Sequence, residues 1–382
     1  MMIVKGGVVV AILAVIKNYL CQPLVWLSLI WILGMYFIRV KKERQQFRIA
    51  VNSDCYEGRH FLKDSLAFFF TAGIFTVLCG IGLPMKVIYL YQILAGLSLI
   101  FFAACDLSFL ALIGTGIIML LAPKGWLWAD KLPAGFTTMM MLLASLTAFL
   151  QAAVATKSKA IFFTPTIKEG KRGRRIVSYS WRNLALIPLI LLVPTGKNGG
   201  IPLFWILNGS SQHFTIVLMP LLILTYLTTT KLKPKALLAY YQKRKNQLAF
   251  LEAVLAFLAL FIPQNYGLVL LGLSFLAELL LQYSCYNYNR KGHFWYVETS
   301  RGVRVVAVKA DTPAAKMQLE AGDIILECNK KPVANASELY QALQENAAYC
   351  KLLVQNVDGE LKICESAIYA DAPHEIGLIL FD

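Results

Sequence analysis

Nine runs of apolar residues are the feature that most limits what this chain can fold into. Several of them approach the roughly 20 residues that an α-helix needs to cross the hydrocarbon core of a bilayer. The runs cover 23–38, 65–83, 87–104, 107–121, 134–155, 184–193, 214–227, 248–262 and 266–282. With 58% hydrophobic residues in a chain of 382, a single soluble domain is excluded. The pattern predicts a polytopic α-helical membrane domain with about 8–10 spans.

Two parts of this pattern have alternative interpretations. The apolar residues 8–16 fit either a short first span or a helix lying in the membrane interface. The sixth and seventh runs are interrupted by glycine and proline at 199–202 and by polar residues at 208–213. Because broken helices can line a substrate site, a membrane transporter stays an alternative function.

Charge divides the chain into two unequal parts. Its formal net charge is +15, from 37 basic and 22 acidic residues. Residues 293–382 contain 8 Lys and Arg against 13 Asp and Glu, which leaves 29 basic and 9 acidic residues for 1–292. A basic excess beside apolar runs is typical of membrane-flanking loops and of contact with membrane lipid, and it requires no nucleic acid as a partner.

The loop charges predict the orientation of the chain. The loops at 39–63, 156–182 and 229–247 are strongly basic, whereas the alternating connections are short and nearly neutral. Basic loops stay in the cytoplasm by the positive-inside rule. Counting nine spans from residue 23 to residue 282 then places the C-terminal segment on the cytoplasmic side.

The C-terminal segment, from Gly292 onward, is the one part that has the pattern of a soluble domain. Its acidic charge and short alternating runs predict a small α+β domain. An amphipathic helix is predicted at 335–344, with Asn335 or Ser337 as its N-cap. Strands are predicted at 301–308, 323–326, 351–355 and 360–364.

The run Pro313-Ala-Ala, followed by Leu319-Glu-Ala-Gly-Asp-Ile-Ile-Leu326, resembles a bacterial PDZ domain, and the likeness covers most of 300–382. The resemblance implies peptide capture by strand addition beside a helix, with a hydrophobic-Gly-hydrophobic loop that holds a carboxylate. The peptide-binding residues that it implies are Ile376, Gly377, Leu378, Ile379 and Leu380 in the loop and edge strand, and Leu339 and Leu343 on the helix. Alternatively, 375–382 is only a closing strand, and the two leucines belong to the core.

A second resemblance concerns the whole architecture. Trp26 and the basic run Arg39–Phe47 follow a short apolar N-terminal segment and precede many spans and the PDZ-like domain. This order resembles the MinJ family of cell-division topology proteins in Gram-positive, rod-shaped bacteria. The resemblance implies a non-enzymatic scaffold that connects DivIVA with MinD at the septum and poles, and it implies no cofactor.

The sequence therefore predicts four parts. They are a short apolar or interfacial helix at 1–22, a multi-span domain at 23–284, a juxtamembrane linker at 285–298 and a cytoplasmic PDZ-like domain at 299–382. The oligomeric state is left open, and a homo-oligomer is compatible with this arrangement.

No catalytic set is recognisable in the sequence. The four histidines include no His-Glu-x-x-His pair that would hold zinc, and the eight cysteines include no Cys-x-x-Cys. Asn208-Gly-Ser-Ser211 with His213 comes nearest to a serine-protease site, but it lies in a polar turn region. The sequence therefore predicts a protein that is not an enzyme, with an inactive intramembrane-protease-like protein carrying a regulatory PDZ tail as an alternative.

Acidic residues inside the spans would carry any transport function, because a charge in lipid is costly. Three residues qualify: Asp106, Glu252 and Glu278. Asp106 is expected at the interface between two spans. Glu252 and Glu278 are expected near each other, towards the cytoplasmic face.

Overall fold

The computed structural model describes residues 13–122, 132–133, 135–157, 162–170, 173–195, 201–202, 213–292, 296–345, 349–367 and 376–381. Within these ranges the chain forms a helical bundle that contains a small sheet, followed by a β-rich C-terminal domain. This arrangement confirms the predicted fold class, a helical membrane domain followed by a small α+β domain.

Seven long helices build the bundle within the described ranges. They are α1 (Pro23–Phe47), α2 (Tyr56–Leu78), α3 (Met85–Phe101), α4 (Ser108–Leu121), α5 (Phe136–Lys157), α6 (Pro234–Leu258) and α7 (Gly267–Lys291). Proline at the first position of α1 and α6 suits a helix start, where the missing N–H has no partner to lose. Helix α7 continues to Lys291, into the segment that the sequence assigns to a linker.

Four of these helices are long and apolar enough to cross a membrane: α1, α2, α5 and α7 with the short turn before it. Helices α3 and α4 are apolar but shorter. The outward faces carry large apolar side chains, such as Phe70 and Phe250, which are 71% and 74% exposed. Such faces are typical of helices that contact lipid.

A four-stranded antiparallel sheet packs against the bundle helices, where the sequence predicts only helices. Its strands are β1 (Thr164–Glu169), β2 (Arg175–Thr195), β3 (Ile201–Pro202) and β4 (His213–Thr229), in the order β1-β2-β4-β3. The prediction of helical spans at 184–193 and 214–227 is wrong, because these residues form a long β2–β4 hairpin. A strand buried on both faces is continuously apolar, so its hydropathy matches that of a membrane-spanning helix.

Two prolines oppose each other near the centre of this hairpin, where Pro188 pairs with Pro220. Proline has no N–H to donate to a ladder. The N–H groups of Leu186 and Leu222, two residues away, bond to side chains outside the hairpin. Since residues two apart in a strand point their N–H groups the same way, both proline nitrogens face the open edges of the hairpin. Each proline therefore removes a donor that would need a partner there.

Side chains from the surrounding helices, the Gln22 side chain and the backbone of Ile81 close these open edges. Peptide groups buried inside the bundle need a partner, because a buried N–H or C=O without one is costly. The bonds run from Leu186 N to Ser65 Oγ (3.1 Å), Leu192 N to Ile81 O (3.2 Å), Leu222 N to Tyr91 Oη (2.9 Å), Leu224 N to Ser108 Oγ (3.1 Å), Gln151 Nε2 to Leu224 O (3.0 Å) and Gln22 Nε2 to Leu218 O (2.6 Å). Polar residues inside the apolar runs thus serve a buried strand edge.

The C-terminal domain has its own sheet and core. Its elements are β5 (Val303–Val308), α8 (Pro313–Lys316), β6 (Ile324–Cys328), β7 (Lys331–Pro332), α9 (Ala336–Gln344), β8 (Tyr349–Gln355), β9 (Leu361–Ala367) and β10 (Leu378–Leu380). The sheet order is β10-β5-β6-β8-β9, and β7 pairs with β6. The Asn335 side chain accepts a bond from Glu338 N at 2.8 Å, which confirms Asn335 as the N-cap of α9.

Candidate peptide-binding edge

Strand β10 lies at one end of the C-terminal sheet. It pairs with β5 on one side, and no described strand pairs with its other side. The bond from Lys309 N to Gly377 O, at 2.9 Å, makes these two residues a hydrogen-bonded pair. Because such pairs alternate along an antiparallel ladder, the N–H and C=O of Leu378 point to the unpaired edge. This edge has the backbone groups that strand addition uses.

The two faces of β10 pack against different parts of the molecule. Ile376, Leu378 and Leu380 are buried in the core of the C-terminal domain. The Ile379 side chain is 3% exposed and belongs to the core of the bundle instead. Both faces of β10 are therefore occupied by the protein itself, and binding there is limited to the strand edge.

Gly377 adopts a conformation that suits glycine, with φ of +87°. A Cβ at this position would also clash with the side chain of Thr312. The close approach fixes the loop that leads into β10 against the start of α8.

Helix α9 contributes its two predicted residues mainly to the core. Leu339 is 1% exposed and lies in the same cluster as Leu378 and Leu380. Leu343 is half-buried and packs against that cluster. The structure thus brings Leu339, Leu343 and the β10 residues to one region of the domain, and their role in peptide binding stays a prediction.

The C-terminal domain docks on the bundle through the start of β2. The Tyr179 hydroxyl donates to Val306 O at 2.6 Å, and Val177 N donates to Tyr296 O at 2.9 Å. The Tyr179 and Tyr296 rings meet edge to face with centroids 4.6 Å apart. Burial at this contact raises the pKa of Tyr296 to about 12. Nothing in the sequence marks these tyrosines, because the contact joins segments more than a hundred residues apart.

Three ion pairs surround this contact. Arg175 holds Glu298 through two bonds of 2.6 and 3.0 Å, and the hydrogen bond from Arg175 lowers the pKa of Glu298. Lys233 pairs with Asp358 at 2.9 Å, and Lys235 pairs with Glu320 at 3.4 Å. The pairs with Asp358 and Glu320 line a cleft of about 1090 Å³ between the domain and the bundle. Basic residues of the bundle thus meet acidic residues of the C-terminal domain.

The acidic residues of the spans take part in internal hydrogen bonds. Glu278 pairs with Lys245 at 2.7 Å, and both side chains are at most 1% exposed. Glu252 accepts a bond from Ser274 Oγ at 2.7 Å. Asp106, expected at the interface, is half-buried, and Gln151 Nε2 donates to its Oδ2 at 3.0 Å. Asp106 is thereby part of the network that closes the β4 edge.

The residues considered for catalysis do not assemble in the described structure. His60 packs against Tyr56 and Phe162 through its ring. Residues 208–211 lie outside the described residues, as do His293 and His374, and of His213 only the strand backbone is described. Among the described residues no group of three or more His, Cys, Asp and Glu could hold a metal ion.

Comparison with known proteins agrees with both resemblances. The PDZ domain family matches residues 287–355. The cell division topological determinant MinJ of Bacillus subtilis is 26% identical over 94% of this chain and 92% of its own length. The probable cell division topological determinant MinJ of Lacticaseibacillus paracasei is 33% identical over 57% of this chain. The chain is a homologue of the MinJ proteins. It spans 58% of the length of the Lacticaseibacillus relative.

Two more distant similarities concern smaller parts of the chain. The periplasmic serine endoprotease DegP of Salmonella typhimurium is 38% identical over 61 residues, which is 16% of this chain. The crystal structure of the PDZ domain of an SdrC-like protein from Listeria monocytogenes is 25% identical. It covers 22% of this chain and 90% of its own, with a TM-score of 0.19.

Proposed function

We propose that this protein is a non-enzymatic membrane scaffold that recruits division-site selection proteins and so helps to position the septum. The bundle would hold the PDZ domain at the cytoplasmic face, and its partners would be proteins of the DivIVA and MinD kind. The observation that carries this proposal is the edge of β10 with which no described strand pairs, in a domain that docks on the bundle. Anchoring raises the effective concentration of a binding edge for other proteins at the same membrane.

The cytoplasmic placement of the PDZ domain rests on loop charge. Replacing two predicted spans by the β2–β4 hairpin removes one outward and one inward crossing. The number of crossings therefore stays odd, and the predicted side of the C-terminal domain does not change. The basic loops stay on the side of the C-terminal domain, as the positive-inside rule requires. A phosphatase reporter fused after Asp382 tests this placement, and activity outside the membrane would contradict it.

Three charged residues of the bundle, Lys245, Glu278 and Asp106, support a scaffold over a transporter. Lys245 and Glu278 neutralise each other within the bundle, and Asp106 is held by Gln151 and Ser108. Bonded in this way, these groups stabilise the packing of the hairpin and the last two helices. A transport site would instead require polar groups that turn towards an ion or a substrate.

Localisation of a fluorescent fusion of the full chain in dividing rod-shaped cells tests the proposed function. We expect enrichment at the septum and poles, and loss of that enrichment when residues 299–382 are removed while the bundle still inserts. A matched control carries Leu361→Thr and Ile363→Thr on the far edge of the sheet, and it should localise as the wild-type chain does. Uniform membrane fluorescence of the full chain would overturn the proposal.

A further inference from the structure

Three arginines at the rim of the bundle lie over tyrosine rings rather than beside carboxylates. The guanidinium carbon of Arg182 lies 5.2 Å from the ring centroid of Tyr226. The corresponding distances are 5.0 Å from Arg244 to Tyr240 and 5.8 Å from Arg290 to Tyr286. The three residues of each kind come from β2, β4, α6 and α7, and we call them the Arg-Tyr belt.

The positive charge of the belt is not compensated within the described part of the chain. No described carboxylate forms an ion pair with Arg182, Arg244 or Arg290. Other arginines differ: Arg39 pairs with Glu57, and Arg175 pairs with Glu298. Among the described residues, Arg244 donates to the Tyr240 hydroxyl and to Gln247 Oε1, which engages two of its five N–H donors.

Two arginines of the belt, Arg244 and Arg290, lie where the apolar outer faces of their helices end. On α7 the exposed side chains change from Leu276 and Leu280 to Tyr283 and Tyr286, and then to Arg290. On α6 the exposed Phe250 and Phe257 follow Arg244. The order of apolar, tyrosine and basic residues is typical of a helix that passes through the headgroup layer.

A planar guanidinium over an aromatic ring is well suited to a phosphate. The ring holds the guanidinium in place, and the edge of the guanidinium still presents two parallel N–H donors to an oxyanion. Tyr283 and Tyr286, which are exposed on α7, offer rings that suit the glycerol and acyl chains of a lipid. From these observations we propose that the Arg-Tyr belt binds the phosphodiester headgroups of anionic phospholipids in the leaflet on the side of the C-terminal domain.

Lipid retention by the purified full chain tests this proposal. The chain in neutral detergent receives phosphatidylglycerol, phosphatidylcholine of the same acyl length, or inorganic phosphate, and native mass spectrometry counts the bound lipids. We expect phosphatidylglycerol to be retained preferentially, and Arg244→Gln with Arg290→Gln to weaken its retention about fivefold for each arginine. The control variant Lys41→Gln with Arg44→Gln removes the same charge from exposed positions on α1 for which the structure describes no aromatic contact.

Each outcome bears on the proposal. Arg244→Lys with Arg290→Lys keeps the charge but loses the planar donor pair, so retention between the wild type and the glutamine variant supports the belt. Equal loss in the α1 control would show diffuse attraction and overturn the site. Equal retention of the two lipids, or competition by inorganic phosphate at equal concentration, would overturn the headgroup assignment. Adding Arg182→Gln extends the series, and correct folding of each variant is checked by its unfolding midpoint.

Discussion

The two sheets of this molecule differ in how the N–H and C=O groups at their edges are bonded. In the bundle, the open edges of the β2–β4 hairpin are bonded by Ser65, Tyr91, Ser108 and Gln151 from the helices around them. In the C-terminal domain, β10 and β9 end the sheet, and no described strand pairs with their outer edges. A buried edge must be satisfied inside the protein, whereas an edge with no neighbouring strand has backbone groups that a partner strand can bind. The comparison separates edges that stabilise the fold from edges available for binding.

The largest effect is expected where one side chain serves several buried groups. Gln151 is fully buried and donates to Asp106, Ser108 and Leu224 O. Gln151→Leu should lower the free energy of unfolding by about 4 kcal/mol, because the Leu224 carbonyl and one oxygen of the Asp106 carboxylate each lose a donor. Denaturant unfolding in detergent, monitored by tryptophan fluorescence, measures this free energy of unfolding. The exposed Gln45→Leu should change it by less than about 0.5 kcal/mol, and similar losses in both variants would contradict the edge interpretation.

A smaller loss is expected at the loop that leads into β10. Gly377→Ala combines a positive φ with a clash against Thr312, and should destabilise the C-terminal domain by about 3 kcal/mol. Gly359→Ala is the matched control, since its φ is +92° but nothing lies within 4 Å of its Cβ. It should cost about 1 kcal/mol. Limited proteolysis of the full chain measures both, and equal resistance of the two variants would disprove the close packing.

Removing one hydrogen-bond acceptor from the edge of the bundle hairpin should lower the free energy of unfolding by a smaller amount. Tyr91→Phe leaves the N–H of Leu222 without an acceptor, which should destabilise the chain by about 2 kcal/mol. Tyr89→Phe on the same helix is the control, because Tyr89 is 50% exposed. Thermal unfolding in detergent distinguishes the two. A midpoint that moves equally in both would show that the Tyr91 bond contributes nothing measurable.

The smallest effect is expected at the outer edge of the C-terminal sheet. Leu361 and Ile363 on β9 are 63% and 61% exposed. Replacing both by threonine should change the free energy of unfolding by less than about 0.5 kcal/mol, because little buried area is lost. It should also reduce self-association, since threonine interrupts an apolar edge. Light scattering during concentration measures the second effect, and a large loss of stability would show that β9 is covered.

The C-terminal domain could be predicted from the sequence because its signals are local. Gly322, with φ of +101°, stands in the turn before β6, and Asn335 caps α9. Alternating apolar residues mark strands that are buried on one face. The candidate edge at Ile376–Leu380 came from the resemblance, and its place at the end of the sheet required the structure.

The bundle sheet could not be predicted in the same way. Hydropathy reports that a segment avoids water, but it does not separate burial in lipid from burial in protein. The available signals were Pro188 and Pro220 in the middle of their apolar runs, together with polar residues such as Tyr91 and Gln151 inside neighbouring ones. In a sequence alone, a proline or a polar residue inside an apolar run is equally compatible with a membrane-spanning helix. Only the pairing of Pro188 with Pro220 in the structure shows that these residues belong to one buried hairpin.

The opposed prolines also have a consequence for how the chain assembles. A slip of one residue between β2 and β4 would place an imide nitrogen in the ladder and turn the edge N–H groups away from their helical partners. Only one register of β2 against β4 therefore bonds all the edge N–H groups. That register is stable only when their hydrogen-bond partners from the N-terminal part of the chain are in place. Every one of these partners, from Gln22 to Gln151, precedes β2 in the chain. Because synthesis starts at the N-terminus, the helices that bond the hairpin edges are made before the strands of the hairpin.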